Sequence, residues 1–126
     1  MSAKPVMIPS PDHPITIDAT DAHVTVRAGG QVVADTTSSL TLQEAAYPAV
    51  LYIPMADVDT TLLESTSTET YCPFKGDASY FTITGGDEDL VDALWTYVDP
   101  HPAVAEIAGH VAFYPDRVEI TVDEAD

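Results

Sequence analysis

The sequence predicts a single compact antiparallel all-β domain of two folded sheets with one short helix, and three observations carry that prediction. Runs of period-two alternation recur along the 126 residues, Gly and Pro punctuate them at short intervals, and a single segment has the marks of a helix. One flat sheet would leave an apolar face in water, whereas two sheets folded against each other bury it. The length suits one domain, and an apolar fraction of 45% supplies a core despite the charge.

Residues 1–14 hold Pro5, Pro9, Pro11 and Pro14 with no period of either kind, so they read as an extended arm. The domain spans 15–122, and 123–126 form an acidic tail. Ile15 to Asp18 is a candidate short strand. A hairpin follows: His23 to Ala28 alternates, Gly29-Gly30 supplies a two-residue turn, and Gln31 to Asp35 returns. Ser39 to Glu44 again has period two, with Leu40 and Leu42 on one face. Ala49 to Ile53 is a β-rich run stopped by Pro54, after which Met55 to Asp59 is a single helical turn or a loop.

Ser65 to Thr70 is polar and β-compatible, either a loop or an exposed edge strand. It leads into Tyr71-Cys72-Pro73-Phe74-Lys75-Gly76-Asp77-Ala78-Ser79-Tyr80, where Pro73 and Gly76 predict a kinked strand followed by a turn, with the strand resuming at Ser79. Leu90 to Val98 is a strand with Trp95 and Tyr97 on one face. Pro102 to Ala108 is the helical turn, opened by Pro and closed by Gly109. His110 to Tyr114 and Arg117 to Val122 read as a final hairpin-like pair joined through Pro115-Asp116.

Four Lys and Arg against twenty-one Asp and Glu give a formal net charge of -17, which leaves no basic stripe for nucleic acid and repels an anionic membrane. The acids are scattered, as on a surface adapted to molar salt, where the Debye length falls to about 3 Å. The absence of a signal-type apolar region or a membrane-length apolar run points to a cytoplasmic protein. A lone cysteine excludes an internal disulfide and a Cys-x-x-Cys zinc site. The spacings of His13, His23, His101 and His110 match no metal motif either, so neither a metal nor a cofactor is expected.

The Tyr71 to Tyr80 stretch, taken with Gly30-Gln31-Val32-Val33-Ala34-Asp35, Tyr52-Ile53-Pro54, Asp57-Val58, Trp95-Thr96-Tyr97 and Ala112-Phe113-Tyr114-Pro115-Asp116-Arg117-Val118, resembles the family catalogued as domain of unknown function 427. The similarity runs from about His23 to Val122 in preserved motif order. It implies a folded two-sheet β-tent, as in Mss4-like proteins. Zinc-carrying members of that fold use paired cysteines, and with only Cys72 here the metal does not carry over. The family also bears a nucleotidyltransferase label. This chain departs from the family pattern at Thr36-Thr37-Ser38-Ser39, where basic residues are usual, and at Phe81, where Trp is more typical.

Two functions follow from the residues. In the first, the chain binds a small anionic ligand: Lys75 is one of few cations, Gly76 beside it leaves room for approach, and Arg117 competes for the role. Tyr52, Tyr71, Tyr80, Trp95 and Tyr97 would line the concave surface of that site. In the second, the chain is an enzyme with a Cys72 thiolate, its pKa lowered by Lys75, and with His110 handling protons. A protein-interaction role at an exposed β edge and the oligomeric state both stay open.

Overall fold

Alternation becomes strand along most of the chain in the computed structural model, which describes residues 5–124. The strands are β1 (Ile15–Ala19), β2 (Ala22–Ala28), β3 (Gln31–Thr36), β4 (Leu40–Glu44), β5 (Val50–Pro54), β6 (Leu63–Cys72), β7 (Gly76–Ile83), β8 (Leu90–Tyr97), β9 (His110–Phe113) and β10 (Glu119–Glu124). They form two antiparallel sheets, one in the order β1-β4-β5-β9-β8-β7-β6 and a smaller one in the order β10-β2-β3. The all-β class and the two sheets are as the sequence predicts.

Period two puts a different core on each face of the large sheet. On one face Ile53, Ile83, Leu94, Val111 and Phe113 pack against Val24, Val26, Val33 and Ala34 of the small sheet. On the other, Leu42, Tyr52, Ala78, Tyr80, Tyr97 and Ala112 form a second cluster, covered by Val104 and Ile107. Each large apolar side chain taken fully out of water contributes about 1.5–3 kcal/mol, so both clusters matter to stability. The second one holds four of the six tyrosines, Tyr52, Tyr80, Tyr97 and Tyr114.

The Gly29-Gly30 turn takes φ of +58° and +84°, the two-residue geometry that matches strand twist and joins β2 to β3. The predicted helical turn is a six-residue 3-10 segment, Pro102–Ile107, bent at Val104 (φ -127°, ψ 30°) so that Val104 and Ile107 both reach the core. Two shorter 3-10 turns cover Met55–Asp57 and Thr60–Leu62. Among the described residues no helix is long and apolar enough to cross a membrane.

Several expectations need correction. The Tyr71 to Tyr80 stretch is a hairpin rather than a kinked strand: β6 ends at Cys72, Pro73-Phe74-Lys75 turn, and β7 starts at Gly76, three residues before Ser79. The final pair is not a hairpin. β9 joins the large sheet between β5 and β8, whereas β10 crosses to the small sheet and pairs β2, where it supplies Ile120 to the first core. Asp123 and Glu124, read as tail, belong to β10. Residues 1–4 of the arm and 125–126 of the tail lie outside the described residues.

Candidate functional site

The β6–β7 hairpin delivers Lys75 to the second face of the large sheet. The Lys75 N–H donates to the Cys72 carbonyl at 3.1 Å, and the Lys75 carbonyl accepts from the His101 N–H at 2.9 Å, so its backbone is fixed from both sides. Gly76 then takes φ +116°, a conformation that favours glycine, and a Cβ there would lie 3.4 Å from the Asp99 carbonyl oxygen. The space beside Gly76 is therefore filled by the Asp99 to His101 segment and not open to a ligand, contrary to the expectation from sequence.

Lys75 is buried and its Nζ donates to Glu44 Oε1 at 2.5 Å. Register explains the rest of the network. β1 pairs β4 with Ile15 opposite Glu44, so His13, two residues before Ile15, reaches the same carboxylate and its Nε2 donates to Oε2 at 2.8 Å. Burial pushes the Glu44 carboxyl up, but the hydrogen bonds from Lys75 and His13 and their charges outweigh it and hold the group below its ordinary range. Of the acids whose side chains are described, Glu44 and Asp92 alone are not classed as exposed.

The arm sets His13 in place. The His13 ring stacks on Phe74 with centroids 4.1 Å apart and planes 9° from parallel, while the Met7 N–H donates to the Pro73 carbonyl and the Tyr71 hydroxyl donates to the Pro5 carbonyl. These contacts strap the arm across the β6–β7 turn.

Beside this network lies a hollow of about 230 Å³, into which Lys75 and Glu44 both open. Tyr52, Tyr80, Trp95 and Tyr97 line it, with Tyr47 and Tyr114 at further walls. Trp95 and Tyr114 meet at 4.5 Å between centroids, tilted by 46°. Burial raises the Tyr52 hydroxyl to about 12, opposed by a hydrogen bond from the Trp95 indole. Burial also raises Tyr97 strongly, and raises Tyr114 to about 12 with help from its hydrogen bond to Tyr80. Tyr80 in turn shares a 2.9 Å hydrogen bond with Thr70. Tyr52, Tyr97 and Tyr114 thus face the hollow as neutral phenols, donors and acceptors rather than charges.

Five residues singled out from sequence meet here: Tyr52, Lys75, Tyr80, Trp95 and Tyr97. Tyr71 does not; its hydroxyl is engaged with Pro5 and with His101 at 3.2 Å. Arg117 sits in the turn before β10 and lines another depression. Cys72 is half-buried against the second apolar cluster, outside the lining of the hollow. His110 opens β9, which β8 and β7 separate from β6, a lateral distance of about 14 Å at normal strand spacing. Its Nδ1 donates to the Ala108 carbonyl at 2.9 Å. The structure therefore does not assemble Cys72, Lys75 and His110 into one constellation.

Sequence reasoning missed Glu44 and His13. For Glu44 a signal existed: the alternation that faces Leu40 and Leu42 inward also places Glu44 in the buried phase, unusual for an acid. His13 gave none, because its place depends on a pairing 31 residues away.

A two-sheet β domain with a tyrosine-lined hollow, closed at one end by a partly buried lysine–carboxylate–histidine network, is the class of protein that fold and site define. The chain belongs to the family described as a domain of unknown function, DUF427, whose sequence profile matches residues 16–124. No curated protein matches it.

Proposed function

We propose that the protein binds a small molecule in the aromatic hollow, with a ring against Trp95 and Tyr114 and a polar head against Lys75 and Glu44. The observation that carries this reading is the placement of a largely buried ion pair at the end of an aromatic-walled space. The bound head is not a simple anion. Glu44 already compensates Lys75, and a ligand carboxylate would have to compete with it for one ammonium. A head offering both a donor and an acceptor, such as an amide or a hydroxyl, satisfies both partners without leaving a buried charge alone. At about 230 Å³ the space is below the range of drug-sized sites, about 300–1,000 Å³, and suits a single substituted ring.

The setting we infer is a salt-rich cytoplasm, since nearly all the described acids face solvent and would repel one another in dilute buffer. Thermal-shift screening of small polar aromatics in molar potassium chloride, repeated on Lys75→Ala, tests the reading. Hits should raise Tm in the native chain and lose that effect in the variant; hits equally effective on both would place the site elsewhere.

A further inference from the structure

We propose a second binding site, for a phosphate group, at the Gly29-Gly30 end of the small sheet, formed by Arg27 and Arg117 and separate from the aromatic hollow. The chain has four Lys and Arg in all. Lys4 lies outside the described residues and Lys75 is committed to Glu44. The two that remain, Arg27 and Arg117, line the same depression of about 240 Å³.

Register brings them together. β2 pairs β10 with Arg27 opposite Glu119, and Arg117 lies two residues before Glu119 as the chain enters that strand. In a chain with twenty-one acids, an arginine ordinarily finds a carboxylate. Here, among the described residues, neither guanidinium is in an ion pair, although Asp116 and Glu119 also line the depression. Arg117 acts on Asp92 only through its longer-range charge. Two cations are thus left uncommitted in one place.

The third wall is the glycine turn. Nothing lies within 4 Å of a Cβ built on Gly29 or Gly30, so a ligand meets bare backbone there. Two guanidinium forks offer more donors than one carboxylate can accept, whereas a phosphate has oxygens enough for both. That difference selects phosphate over carboxylate.

The test is an NMR titration of the full chain with inorganic phosphate, and separately with acetate, at ionic strength held constant by potassium chloride. Phosphate should produce saturable shifts of the amides of Arg27 to Gly30 and Arg117 to Glu119, leaving the Trp95 indole unmoved, and acetate should bind at least tenfold more weakly. Arg27→Gln, at a half-buried position, and Arg117→Gln, at an exposed one, should each weaken phosphate binding about tenfold or more while the remaining spectrum stays native. Shifts that fail to saturate, that acetate reproduces at equal concentration, that survive both substitutions, or that centre on Trp95 would each overturn the proposal.

Discussion

Replacing Lys75 by Met removes the ammonium, keeps most of the stem's volume, and leaves Glu44 with His13 as its remaining donor among the described residues. The Lys75 and Glu44 side chains are 11% and 17% exposed, which places the pair between two regimes. Exposed pairs contribute about 0.2–1 kcal/mol, whereas breaking a wholly buried pair costs about 3–5 kcal/mol. Because His13 still satisfies one carboxylate oxygen, the expected loss is about 2 kcal/mol, or about 8 °C in Tm for a chain of this length. Glu44→Gln should lose a similar amount, and the double variant no more than either alone, for a coupling of about 2 kcal/mol. Urea unfolding in molar potassium chloride measures the cycle under conditions that screen surface pairs but not a desolvated one. Additive losses, with coupling below about 0.5 kcal/mol, would refute the claim that the two act as a buried unit.

Other expectations follow from the same geometry. The carboxyl of Glu44 is depressed by folding, so its stabilisation is present above the unfolded value near 4.5 and is lost as pH falls through the folded one; Glu44→Gln should therefore flatten the acid limb of the stability curve, followed by circular dichroism. Tyr52 and Tyr114 are raised, so they favour the folded state below pH 10 and cease to as pH climbs toward about 12. Phenolate absorbance should show part of the six tyrosines silent until alkaline unfolding. Gly76→Ala forces a side chain into φ +116° beside the Asp99 carbonyl, and should cost about 1–3 kcal/mol in denaturant melts. Raising potassium chloride from dilute to molar levels should increase Tm, and a flat response would remove the salt-adaptation reading of the -17 charge.

What the sequence discloses is local. The Gly29-Gly30 hairpin, the inward phase of Leu40 and Leu42, and the shared face of Trp95 and Tyr97 are all set by period and turn chemistry within a few residues, and the structure has them. Strand order is another matter. Pro115-Asp116 has hairpin chemistry, yet the chain leaves the large sheet there because the small sheet has an open edge at β2 and Ile120 has a core to enter. The same limit separates His110 from Cys72, since no local signal says that two strands stand between β6 and β9. Strand β8 hides a further feature, Asp92, whose φ of +52° is held by hydrogen bonds from Thr66 and Thr68 at 2.7 and 2.6 Å. Those donors come from β6, more than twenty residues earlier in the chain.

The chain's one tryptophan lies in the wall of the hollow, so the central claim has a built-in reporter. Emission of Trp95, followed while a small polar aromatic that raises Tm is titrated in, should change saturably with the same midpoint as the thermal shift, and Lys75→Met should abolish both. A ligand that stabilises the protein while Trp95 emission stays constant would contradict the account.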